Sequence, residues 1–161
     1  MKVPARLLLA GLASVGQGMA QAPGMSNEER FVSAAVNSDF FAIETSKLAL
    51  QRAQNTEIAR FAQQIIKDHT AARTEMMAVA EQAGVATSAF IDGPNQQRLD
   101  SLVSAKDFDR IYIKAQEEAH ARAISLFESY ARAGKHPALK DFARRTLLVL
   151  KSHHEHAERL N

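Results

Sequence analysis

The sequence predicts an all-α fold, with four long helices in two antiparallel hairpins joined by a long crossover that contains one short helix. Three observations predict it. Apolar residues recur at spacings of three and four through four separate stretches. Gly, Pro, Asn and Ser fall between those stretches, where helices would start and stop. No stretch keeps a period-two alternation, which argues against an outer-membrane barrel. Four amphipathic segments of this length specify a four-helix bundle.

The chain opens with "MKVPARLLLAGLASVGQGMAQA", which has the layout of a secretory signal. Lys2 and Arg6 form a positive start, Leu7 to Gly16 an apolar centre, and Ala20-Gln21-Ala22 a cleavage site. The apolar run is too short to span a membrane. Residues 1–22 are therefore expected to be removed on export, leaving 23–161 as a single domain, in a periplasm.

The first long helix is expected from Ser26, which forms an S-x-x-E capping box with Glu29, to about Gln54. Phe41, Leu48 and nearby alanines mark its buried side. Asn55-Thr56 breaks it and caps the second, whose stripe is Ile58, Ala62, Ile65, His69, Ala72, Met76, Val79 and Ala83, with Gly84 as the stop. Met76 and Met77 read as core filler. "GVATSAFIDGPN" is a loop and "QQRLDSLVS" a short helix. Ser104 to Asp107 reads as a capping signal for the third long helix, with the stripe Ile113, Glu117, His120, Ile124, Phe127 and Ala131, ended by Gly134. Pro137 suits the first turn of the fourth, whose stripe is Leu139, Phe142, Thr146, Leu150, His153, Ala157 and Leu160. "IARFAQQIIKDH" in the second faintly echoes "LKDFARRTLLVLKSH" in the fourth.

Charge and cysteine narrow the chemistry. Two of the 20 Lys+Arg and none of the 18 Asp+Glu lie in the export signal, so the remainder is balanced and has no basic surplus to suggest nucleic acid. With no cysteine there are no disulfides, no thiol catalysis, no Cys-bound zinc and no lipid attachment at cysteine. After signal cleavage no segment could span a membrane.

Each stripe is interrupted by polar residues near its middle: Glu44 on the first long helix, His69 on the second, Glu117 and His120 on the third, His153 on the fourth. Such groups are costly to bury alone and need partners. Glu44 and His69 are nearly equidistant from the first turn, as His120 and His153 are from the second. Their distances from the two turns sum to roughly 44 Å, against roughly 42 Å for the length of one helix. If the turns lie at opposite ends, all five residues share one central layer, and Val85 to Lys106 is long enough to make the crossover that topology needs.

Glu117-Glu118-Ala119-His120 is a Glu-x-x-His motif, as in ferritin-like di-iron carboxylate proteins. More closely, "FVSAAVNSDFFAIETSKLA", "IARFAQQIIKDH", "FDRIYIKAQEEAH" and "FARRTLLVLKSHHEHA" resemble the bacterial exported family called domain of unknown function 4142. That resemblance implies a ferritin-like helical bundle and supplies no activity. The chain departs from a di-iron pattern, because Ile66 and Leu150 stand three before His69 and His153. Two carboxylates and three imidazoles remain, with Asp68 able to turn in. Glu44, His69, Glu117, His120 and His153 are thus the expected ligands of one Fe, Zn, Mn or Cu ion. The alternative is a structural envelope protein whose His and Glu residues form a metal-free network. His154 is expected in solvent and His156 beside the stripe.

Overall fold

A computed structural model describes residues 24–87 and 91–161. The expected signal segment, 1–22, lies outside the described residues. Among those described there are five helices and no strand: α1 (Asn27–Arg52), α2 (Thr56–Gln82), α3 (Gly93–Val103), α4 (Phe108–Ala133) and α5 (Pro137–Leu160). None is long and apolar enough to cross a membrane.

The helix ends follow local chemistry, with one correction. Ser26 and Glu29 close the expected capping box, and Asn55 caps α2 through Glu57 N–H. Gly84 adopts a φ of 66°, the left-handed conformation that stops α2. Pro137 occupies the first turn of α5. Ser104, expected to help open the third long helix, instead closes α3. Asp107 is the N-cap residue of α4, but its carboxylate pairs with Arg110 at 2.7 Å and makes no capping bond. The short helix starts earlier than its apolar residues suggest, because Asp92 caps it and Pro94 fits its first turn.

The four long helices pack in a cycle: α1 on α2, α2 on α5, α5 on α4, and α4 on α1, with α3 laid over α1 and α4. Their apolar residues form two clusters. One gathers Phe31 and Val32 of α1, Met76 of α2, Phe127 of α4 and Phe142 of α5. The other gathers Ala49 of α1, Phe61 of α2, Tyr112 of α4 and Ala157 of α5. The start of α5 and the end of α4 belong to the first cluster, whereas the end of α1 and the start of α2 belong to the second. The two hairpin turns therefore lie at opposite ends, and the chain crosses over from the first cluster, where α2 ends, to the second, where α4 begins.

Polar contacts fasten that crossover. Arg52 donates to the carbonyl oxygens of Leu102, Val103 and Ala105 at and just beyond the end of α3. Its guanidinium also lies 4.8 Å from the centre of the Phe108 ring. Asp109, in the first turn of α4, accepts from the backbone N–H groups of Gln54 and Asn55 at 3.1 and 2.8 Å, closing the α1–α2 turn.

Candidate metal centre

Between the two apolar clusters three helices each contribute one imidazole. His69 comes from α2, His120 from α4 and His153 from α5, with exposures of 4%, 2% and 5%. They occupy core positions because α2, α4 and α5 carry them at helical spacing among residues such as Ile65, Ile113 and Leu150. The ring centres form a near-equilateral triangle with sides of 5.3, 5.4 and 5.5 Å. One nitrogen from each ring lies within 4.8 Å of the other two.

The outer nitrogens are already engaged. His120 Nδ1 lies 2.8 Å from the Gln116 carbonyl oxygen. A carbonyl can only accept, so Nδ1 carries the proton and His120 Nε2 is a bare lone pair. His69 Nδ1 meets Asp39 Oδ1 at 2.8 Å, and His153 Nε2 meets Asp68 Oδ2 at 2.9 Å. The nitrogens left over are Nε2 of His69, Nε2 of His120 and Nδ1 of His153. The last is enclosed and has no partner. His69 Nε2 and His120 Nε2 face each other at 3.3 Å. Two nitrogens held at about 2.0–2.1 Å from one tetrahedral ion would be separated by about 3.3 Å. Carboxylate or carbonyl support of the outer ring nitrogen is the usual second layer of a histidine metal site.

The electrostatics favour neutral rings at His120 and His153. Burial, then the neighbouring His69, holds His120 well below the ordinary imidazole range, although the Gln116 carbonyl pulls the other way. Burial, then His69, also lowers His153, against the opposing pull of Asp68. Asp39 is raised by burial, against its hydrogen bond from His69 and the more distant Arg73 charge. Neutral imidazole is the form that ligates metals.

The two glutamates expected from the sequence sit elsewhere. Glu44 turns to the surface, where Oε1 meets Lys47 Nζ at 2.7 Å. The inward row of α1 is Ala35, Asp39, Ala42, Ser46 and Ala49, and position 44 lies off it. Glu117 is half-buried. Its Oε2 accepts from Asn161 at 3.5 Å and its Oε1 is enclosed without a partner. The imidazole trio stands without either carboxylate. His154 is half-buried with Nδ1 3.6 Å from Glu158, and the His156 ring packs at 5.0 Å against Phe61. Met76 fills the core as expected, while Met77 is 41% exposed.

The residue that sequence reasoning missed is Asp39, only 7% exposed. Two signals pointed to it. It falls in the inward row of α1, and the observed turn, residues 53–55, centres on Gln54. Position 39 is as far before that centre as 69 is after it, whereas Glu44 is not.

The family described as Domain of unknown function (DUF4142) matches residues 14–160, and the chain belongs to it. No curated protein matches the chain in sequence. Among solved structures, CopM in its Cu(I)-bound form superposes with a TM-score of 0.70 at 21% identity, covering 84% of this chain and 95% of CopM. Its Cu(II)-bound form gives 0.71 at 20% identity, over 82% and 93%. A DUF305 fragment from Deinococcus radiodurans gives 0.73 at 15% identity, over 86% and 97%. These likenesses establish a shared helical fold.

Proposed function

We propose that this DUF4142 protein is an exported, ferritin-like four-helix bundle that holds one transition-metal ion between His69, His120 and His153. The observation that carries the reading is the hydrogen-bond pattern of the three rings. Each outer nitrogen meets a protein oxygen, and one nitrogen of each ring lies within 4.8 Å of the other two in the buried interior. Bare lone pairs at that spacing repel one another unless a cation or a proton lies between them.

Imidazole suits copper, zinc, iron and nickel, while manganese favours oxygen donors. Here the carboxylates of Asp39 and Asp68 orient imidazoles, and Glu44 faces outward, so the nitrogen-rich set favours copper or zinc over manganese. Copper is preferred, because CopM has been solved with Cu(I), Cu(II) and Ag. Glu117 lies one turn before His120 and has an enclosed oxygen without a partner, but it stands outside the group of three imidazoles. The bound ion would supply a store or carrier of metal in the envelope.

One contact favours a second reading. The 3.3 Å approach of His69 and His120 also fits a hydrogen bond from His69 Nε2–H, which would make the layer a structural, metal-free network. Elemental analysis of untagged protein recovered from the periplasm, beside His120→Ala, separates the two. Near-stoichiometric metal that vanishes in the variant supports the site. Protein that carries no metal and takes up neither Cu nor Zn on titration leaves the structural network.

A further inference from the structure

A second feature, independent of the imidazole layer, lies on the outer face where α1, α3 and α4 meet. Here a groove of about 580 Å³ opens between the helices. That is within the range of about 300–1,000 Å³ typical of small-molecule sites. Phe41, Ala119, Leu126 and Ala34 are among its apolar lining residues. A smaller hollow of about 290 Å³ shares Ala34 and Leu126 and extends the same seam toward Tyr130. The α1–α4 seam from position 122 to 133 is about 16 Å long at the helical rise.

The rim is cationic. Arg30, Arg98 and Arg122 all border the groove, whereas Asp92 is the one carboxylate among its described lining residues. Asp92 is occupied at the start of α3, accepting from Asn95 N–H at 2.8 Å. Arg98 donates to the Asn95 side chain at 2.9 Å, and Asn95 in turn donates to Asn37 at 2.6 Å, which fixes α3 against α1. Arg122 has Glu118 no nearer than 3.8 Å. Burial, then the charge of Arg98, pushes Arg122 below its usual range, as expected of two guanidiniums brought close with little compensating charge. The N-terminus of α3 adds a further partial positive charge at this end.

We propose that this groove binds a free alkyl carboxylate, its head between Arg98 and Arg122 and its chain along Leu126 and Ala34. The pairing follows from chemistry: a carboxylate accepts from two guanidiniums, and an apolar seam leading from them covers a tail. An inorganic anion would leave the seam wet, and a neutral alcohol would leave the arginines uncompensated.

Decanoate, decanol and acetate, each below its aggregation limit, should be titrated calorimetrically into the purified full chain. The comparison proteins are Arg98→Gln/Arg122→Gln and, as a control outside the groove, Arg144→Gln. Decanoate is expected to bind at one site, at least about tenfold more tightly than decanol or acetate, and to lose at least about tenfold in the double variant only. Unchanged thermal melting would show that the exposed arginines are not needed for folding. Equal binding of decanoate and decanol, unchanged binding in the double variant, or no binding by the wild type would each overturn the proposal. So would association with anionic phospholipid vesicles without monomer binding, which would assign the arginines to a membrane surface. Metal loading is no part of the readout, so the metal reading stands or falls separately.

Discussion

Two polar groups cross the same interior one turn apart on α4, and they are built in opposite ways. At Gln116 the side-chain amide donates to Thr45 Oγ1 at 2.8 Å, and Thr45 donates to the Phe41 carbonyl at 2.7 Å. A turn earlier, the Tyr112 and Ser46 hydroxyls share a 2.8 Å hydrogen bond. These groups exchange donors and acceptors locally, leaving only Gln116 Oε1 without a partner among them. At His120 the pattern differs, because each ring's outer nitrogen meets a protein oxygen and the inner sides of the three rings face one another. A buried group that needs only structure is closed by its neighbours. One that awaits a ligand is oriented from behind and left open in front.

The largest effect expected from that contrast is at His120. His120→Ala should abolish stoichiometric metal uptake, with at least about a hundredfold loss of affinity on copper titration, since it removes one of three nitrogen donors. Retained stoichiometry would move the site away from the trio.

Asp39→Asn should come next. It keeps the volume but weakens the acceptor behind His69, and competition with a chelator should show a loss of about 10- to 100-fold. Affinity unchanged by this substitution would mean that Asp39 does not orient the ring.

Thr45→Val probes the other kind of layer. It leaves the buried Gln116 Nε2–H without its acceptor, and denaturant unfolding should register a loss of about 1–3 kcal/mol. Metal affinity should stay within a fewfold of wild type. A parallel collapse of metal binding would show that the layers are coupled.

pH sharpens the comparison in the apo protein. His120 and His153 have folded-state pKa values below that of an unfolded imidazole, about 6.5. Below about pH 6.5 these two rings bind more protons in the unfolded chain than in the folded one. The stability that these two rings contribute is therefore fully present above that pH and is lost as pH falls toward their folded values. In His120→Gln/His153→Gln the fall in melting temperature between pH 7 and pH 5.5 should shrink, and an undiminished fall would assign it to other groups. The smallest effect belongs to Glu44→Ala, which removes a surface ion pair with Lys47 and should change stability by about 0.5 kcal/mol or less and metal uptake not at all.

The sequence by itself determined the helices and most of their ends. A capping box at Ser26, a left-handed Gly84 and a first-turn Pro137 act within a few residues of themselves, so their consequences can be read locally. It also determined which histidines turn inward, because a helix repeats every 3.6 residues whatever packs against it. The DUF4142 resemblance was legible in the order of four motifs. Tertiary structure decided the rest. Whether position 39 or 44 meets His69 depends on where the turn centres and how α1 is rotated, a shift of a few residues that apolar spacing leaves open. Asp39 and Asp68 became ring supports only when α1 and α5 were laid against α2. The arginine-rimmed groove joins residues on α1, α3 and α4 across the crossover, and no single stretch of chain announces a surface built from three.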